Sequence, residues 1–246
     1  IPVAWELPFG GSEPGSLPAF RIELEHGRAL VLSGRIDRVD MALDRDENKA
    51  FFRVVDYKSG ALGLKPEDIY AGLRLQLLLY LQVVLANADL FSAAEPRAAG
   101  LYYSRVGDNL QPGQRSEAEK PSGLQLSGLT VRDERAIRLA DREINGKSRL
   151  IPAGLSQKGI HALPAGLSGE QLDALRERLL VVLRDTAEQL FAGAIHVSPL
   201  RDLGFDACEF CEFAAVCGFD RELAQPRRKE RAPQAEASQD EPEEAD

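Results

Sequence analysis

The chain has 246 residues, 44% of them apolar, enough for one substantial domain or two small ones with a sizeable core. Its net charge of −9 excludes a stand-alone nucleic-acid binder that relies on a basic surface, although six of the acids lie in residues 232–246 and setting them aside leaves −3. The longest apolar stretch, residues 77–86, is too short to span a bilayer, and residues 1–10 lack the basic and apolar regions of a signal peptide, so the expected setting is cytoplasmic.

The chain opens without a methionine, as a processed chain or a piece of a longer one would. Residues 19–40, AFRIELEHGRALVLSGRIDRVD, alternate on either side of His26-Gly27 as two strands of a hairpin do. The second strand is expected to continue through Gly34. After the polar turn 44–49, DRDENK, residues 51–58 form the next strand, giving three antiparallel strands before residue 60. Residues 66–88 are leucine-rich and read as one helix, on which Gly72, Gln76 and Tyr80 recur every fourth position on one face. Residues 101–104 suggest a buried strand, residues 105–128 a mobile loop, and residues 131–144 a helix.

The clearest helix is 168–192. Ser168 with Gln171 makes a capping-box pattern, Gly193 stops the helix, and Leu172, Leu175, Leu179, Val182 and Leu190 form its apolar stripe. Residues 221–246 read as a disordered acidic tail, because APQAEASQDEPEEAD has nothing to bury.

VVDYKSG, residues 54–60, carries the first chemical signal. Asp56 and Lys58 are two apart on a strand and share a face. A turn centred between residues 46 and 47 pairs residues whose numbers total 93, which sets Asp37 opposite Asp56. Two facing carboxylates repel unless a cation lies between them. Mg²⁺ or Mn²⁺ favours such oxygens, and a metal held there can activate water against a phosphodiester while Lys58 positions the water or neutralises the developing charge. The alternative is structural: a salt bridge between Asp56 and Lys58, with Asp37 paired to Arg35 or Arg38.

GRIDRVD, VVDYKSG and GLRLQLLLYL together resemble the RecB-like branch of the PD-(D/E)XK nuclease superfamily. The resemblance implies an α/β fold: a restriction-endonuclease-like core with a central mixed sheet flanked by helices. It also implies Asp37, Asp56 and the Tyr57 carbonyl as metal ligands, Lys58 as catalytic lysine, and Gln76 and Tyr80 as helix residues that help place DNA. Glu6 is either a further acid near the site or an edge-strand residue.

The three cysteines, Cys208, Cys211 and Cys217, fall in DACEFCEFAAVCGFD as C-x2-C-x5-C, a soft-metal pattern rather than a disulfide one. Zinc and iron–sulfur centres both want four ligands. His196 is the nearest histidine, and a fourth cysteine upstream of residue 1 is the preferred donor. The same spacing closes a subset of RecB-like nucleases with a 4Fe–4S cluster, which includes the AddB component of bacterial helicase–nucleases and CRISPR-associated exonucleases. The opening AWELPFG and the GLRLQLLLYL helix are more similar to the AddB type.

That resemblance implies residues 1–220 as a Mg²⁺- or Mn²⁺-dependent deoxyribonuclease domain with a C-terminal cysteine-rich cluster segment. DNA, a helicase–nuclease partner subunit and an N-terminal region absent from this chain are the expected partners, in double-strand-break repair and recombination. Other readings are a CRISPR-associated exonuclease, a non-catalytic docking module of the same fold, or a zinc-stabilised interaction domain.

Overall fold

The computed structural model describes residues 1–60, 63–106, 125–163, 165–202, 205–209 and 211–220. The expected acidic tail and most of the expected 105–128 loop lie outside the described residues. In chain order, β1 (Pro2–Phe9), β2 (Phe20–Glu23), β3 (Ala29–Leu32), β4 (Gly34–Asp44) and β5 (Lys49–Lys58) precede α1 (Pro66–Tyr70) and α2 (Gln76–Ala86). Then come β6 (Glu95–Arg105), β7 (Ser127–Val131), α3 (Glu134–Ala140), β8 (Gly146–Lys147), β9 (Gly154–Ser156), β10 (Gly159–Ala162), β11 (Gly166–Leu167) and α4 (Gly169–Phe191).

A mixed sheet of order β1-β4-β5-β6-β7-β11 forms the frame. β4 and β5 are antiparallel, whereas β5 and β6 are parallel and are joined through the α1–α2 crossover. Apolar alternation along β5 decides what covers each face. Phe52 and Val54 enter the main core with Leu77, Leu78, Leu81 and Val84 of α2 and Leu172, Leu175 and Leu179 of α4. Val55 points the other way, into a second core with Tyr102, Ile137 and Ile151. This is the α/β architecture expected, a mixed sheet with helices on both faces.

Several elements differ from the sequence reading. The hairpin strand does not run through Gly34: β2 and β3 form a ribbon of their own, and β4 starts afresh in the large sheet. Gly34 lies opposite Phe9 of β1, and a Cβ there would come within 2.9 Å of the Phe9 ring. The expected helix 66–88 is two helices, broken where Gly72 and Arg74 take φ of +78° and +53°. Gly72 therefore does not share a helical face with Gln76 and Tyr80. The helix expected over 131–144 shortens to α3, because Val131 belongs to β7 and Asp133 caps the helix through the Ala136 N–H. In α4 the capping box forms in both directions, but Leu190 of the expected stripe is 71% exposed.

By packing, the chain divides into residues 1–195 and 196–246. In the second unit, β12 (Arg201–Asp202) and β13 (Phe205–Asp206) make a short ribbon, and α5 (Ala214–Cys217) is a single turn. Among the described residues, no helix is long and apolar enough to cross a membrane.

Candidate active site

The site lies at the end of β5, where the sheet opens. β4 and β5 pair with the expected register, from Asp44–Lys49 to Arg38–Val55. One further step sets Asp37 across from Asp56. There the Asp37 carboxylate, through Oδ2, accepts the Tyr57 N–H at 2.8 Å. The side chain thus takes a donor at the point where the ladder ends, which fixes one carboxylate oxygen beside Asp56.

Asp56 is 1% exposed and sits on the α2 face, two residues beyond Val54. Lys58 Nζ lies 2.7 Å from Asp56 Oδ2 and 3.4 Å from Gln76 Oε1. Gln76 in turn donates to the Tyr80 hydroxyl at 2.9 Å, and the Tyr80 ring is held edge-on against Phe9 with centroids 5.8 Å apart. Asp56, Lys58, Gln76 and Tyr80 therefore form one polar run from the sheet onto the first turn of α2. The structural pairings weighed for Asp37 do not form: Arg35 contacts Glu13, and Arg38 grips Asp40.

The electrostatics follow from burial. Desolvation pushes the Asp56 carboxyl above the usual carboxylate range; Lys58 opposes the shift, and the charge of Asp37 adds to it. Lys58 is raised chiefly by its contact with Asp56. Asp56 Oδ2 is buried and meets the Lys58 ammonium at 2.7 Å. A buried carboxylate with a second one, Asp37, acting on it from the neighbouring strand suits a hard divalent cation.

Two neighbours carry no signal in the sequence reading. Tyr103 of β6 lies beside Asp56 across the parallel pair, is 6% exposed, and is raised by its own burial. Arg74, in the α1–α2 turn, acts electrostatically on Tyr103 and lies 3.4 Å from Asp68. Alternation in LYYS could have placed Tyr103 on one face of β6, but nothing local pairs β6 with β5. Glu6 lies opposite Asp37 on β1, in the left-handed region at φ +46°.

In the second unit Cys208, Cys211 and Cys217 are free thiols, and the Cys208 N–H is held by Asp206 at 2.9 Å. Among the described residues, no group of three or more His, Cys, Asp or Glu side chains is drawn together to hold a metal.

Known proteins share this chain's sequence over most of its length. It is 38% identical over 236 residues to the B component of an ATP-dependent helicase/deoxyribonuclease of Desulforudis audaxviator (strain MP104C), a match that covers 93% of this chain and 20% of that protein. It is 36% identical over 225 residues to the protein of the same name from Clostridium novyi (strain NT), and 35% identical over 235 residues to that from Bacillus cereus (strain G9842). The chain spans about a fifth of the length of these curated relatives. A family model described as the PD-(D/E)XK nuclease superfamily matches residues 1–218, as the resemblance of GRIDRVD and VVDYKSG implied. This chain belongs to the PD-(D/E)XK nuclease superfamily.

Proposed function

We propose that the chain is a metal-dependent deoxyribonuclease that hydrolyses phosphodiesters at DNA ends or in single strands. In this reading it is the nuclease part of a cytoplasmic helicase–nuclease that serves double-strand-break repair and recombination. The observation that carries the chemistry is the buried Asp56 carboxylate, with Asp37 across from it on β4 and Lys58 2.7 Å away. Asp37, Asp56 and the Tyr57 carbonyl would hold Mg²⁺ or Mn²⁺, which when bound supplies charge for water activation. Lys58 holds the attacking water or offsets charge on the phosphate, while Gln76 and Tyr80 steady the lysine and present polar groups to the strand. A partner subunit and the remainder of a longer protein are supported by the relatives, which are named as one component of a helicase/deoxyribonuclease and of which this chain covers 20%.

The test is digestion of single-stranded DNA in Mg²⁺ or Mn²⁺. Lys58→Ala should lose about 10²–10³-fold in rate, and Asp56→Ala at least as much. Variants that digest as well as wild type would overturn the assignment.

We further propose that Cys208, Cys211 and Cys217 supply three thiolates to a structural 4Fe–4S cluster, the fourth coming from upstream of residue 1. The C-x2-C-x5-C spacing supports this. The purified full-length protein should be brown with broad visible absorption. A colourless preparation holding zinc sinks the cluster.

A further inference from the structure

Arg74 occupies a backbone position that suits glycine or asparagine far better. Its φ is +53°, a left-handed conformation that costs L-residues with long side chains free energy. The same turn uses a glycine, Gly72, for its other left-handed residue. Strain of this kind persists where the side chain is needed, and here the side chain leads to the candidate site. Arg74 acts electrostatically on Tyr103, which neighbours Asp56 across the β5–β6 pair. Its Nε lies 3.4 Å from Asp68, and 36% of the side chain remains open to solvent. Two residues later α2 begins at Gln76, with no side-chain cap at Leu75, so the positive end of its dipole adds to the same field.

An arginine tethered by Asp68 on one side, and open to water on the other, is a pre-positioned fork of N–H donors. Planar forks of this kind fit phosphate oxygens two at a time. We propose that Arg74, tethered by Asp68, binds a phosphate of the DNA strand adjacent to the one held at Asp37, Asp56 and Lys58. The residue is a binding and positioning group, not a catalytic one, and the proposal rests on the nuclease reading for the identity of its ligand.

The strain supplies its own control. Arg74→Gly removes the guanidinium and relieves the backbone, so a purely binding role predicts weaker DNA binding without loss of thermal stability. The experiment measures anisotropy of a fluorescein-labelled oligothymidylate with the full chain in Ca²⁺ at several salt concentrations, alongside melting temperature. Arg74→Gly should bind about 10-fold more weakly, with a salt slope shallower by about 0.7 and a melting temperature at or above wild type. Arg74→Lys should recover the slope, and in Mg²⁺ the loss in Arg74→Gly should fall on KM rather than kcat.

Wild-type affinity and slope in Arg74→Gly would overturn the proposal. So would a lowered melting temperature with no recovery of the slope by lysine, which makes the arginine a structural tie to Asp68. Cleavage separates this from the parent reading: a wild type that binds through Arg74 but leaves DNA intact sinks the nuclease alone. A wild type that cleaves while Arg74→Gly is unchanged sinks only the phosphate contact, and one that binds no DNA overturns both.

Discussion

At the scale of single residues, the site trades stability for chemistry. Asp56 is buried, its carboxyl is raised by desolvation and by Asp37, and Lys58 only partly compensates. A carboxyl whose folded-state pKa is raised contributes stability that is fully present below the unfolded value and is lost as pH rises through the folded one. In EDTA, Asp56→Asn should therefore be more stable than wild type at neutral pH. It should also lack the part of the wild-type decline that begins at the ordinary carboxylate value and levels off above it. Denaturant midpoints across that range check this, and a less stable variant at neutral pH would count against it. Asp40 shows the opposite arrangement. It is 1% exposed and gripped by Arg38 at 2.6 Å and Arg53 at 2.9 Å. Asp40→Ala strands two half-buried guanidinium groups and should cost about 3–5 kcal/mol in urea unfolding, without specific loss of the Asp56–Lys58 contact.

Elements are legible where their signals are local. Ser168 and Gln171 mark the start of α4, and both capping hydrogen bonds form, at 3.1 and 2.9 Å. Ser168→Ala should cost about 1 kcal/mol, read as a shifted urea midpoint with unchanged slope; no shift would mean water replaces the cap. Residues 66–88 read as a single helix because leucines run almost continuously through them, and composition alone does not show a break. The break depends on Gly72 and Arg74 turning left-handed, which lets α2 lie on β5 and β6 while α1 meets α4. The exposed Leu190 escapes the sequence for a related reason: periodicity names an apolar face but not where its partner ends.

For the whole molecule, the proposed metal site would link ion binding to folding. Facing carboxylates weaken the apoprotein at the open end of the sheet, and an ion that binds only the folded state stabilises it by mass action. Free Mg²⁺ at about 100 times its Kd should add about 2.7 kcal/mol. Most of that gain should vanish in Asp37→Asn, and a gain that survives in this variant would place the ion elsewhere. Chelation should abolish cleavage and return the lower melting temperature together.

The sequence alone determined the chemistry-bearing core of this protein. Asp56 and Lys58 share a face by strand alternation, and the short polar turn at 44–49 fixes the register that brings Asp37 to Asp56. Both effects act over a few residues, so no knowledge of distant packing was needed. Tertiary structure alone decided the surroundings. β5 pairs in parallel with β6 only through the α1–α2 crossover, so Tyr103 reaches Asp56 from 47 positions away in the chain. Arg74 meets Tyr103 only because a left-handed turn redirects the chain. Nor does sequence show that Asp56 is buried, because burial is set by the helices that cover the sheet, and it is burial that raises its carboxyl.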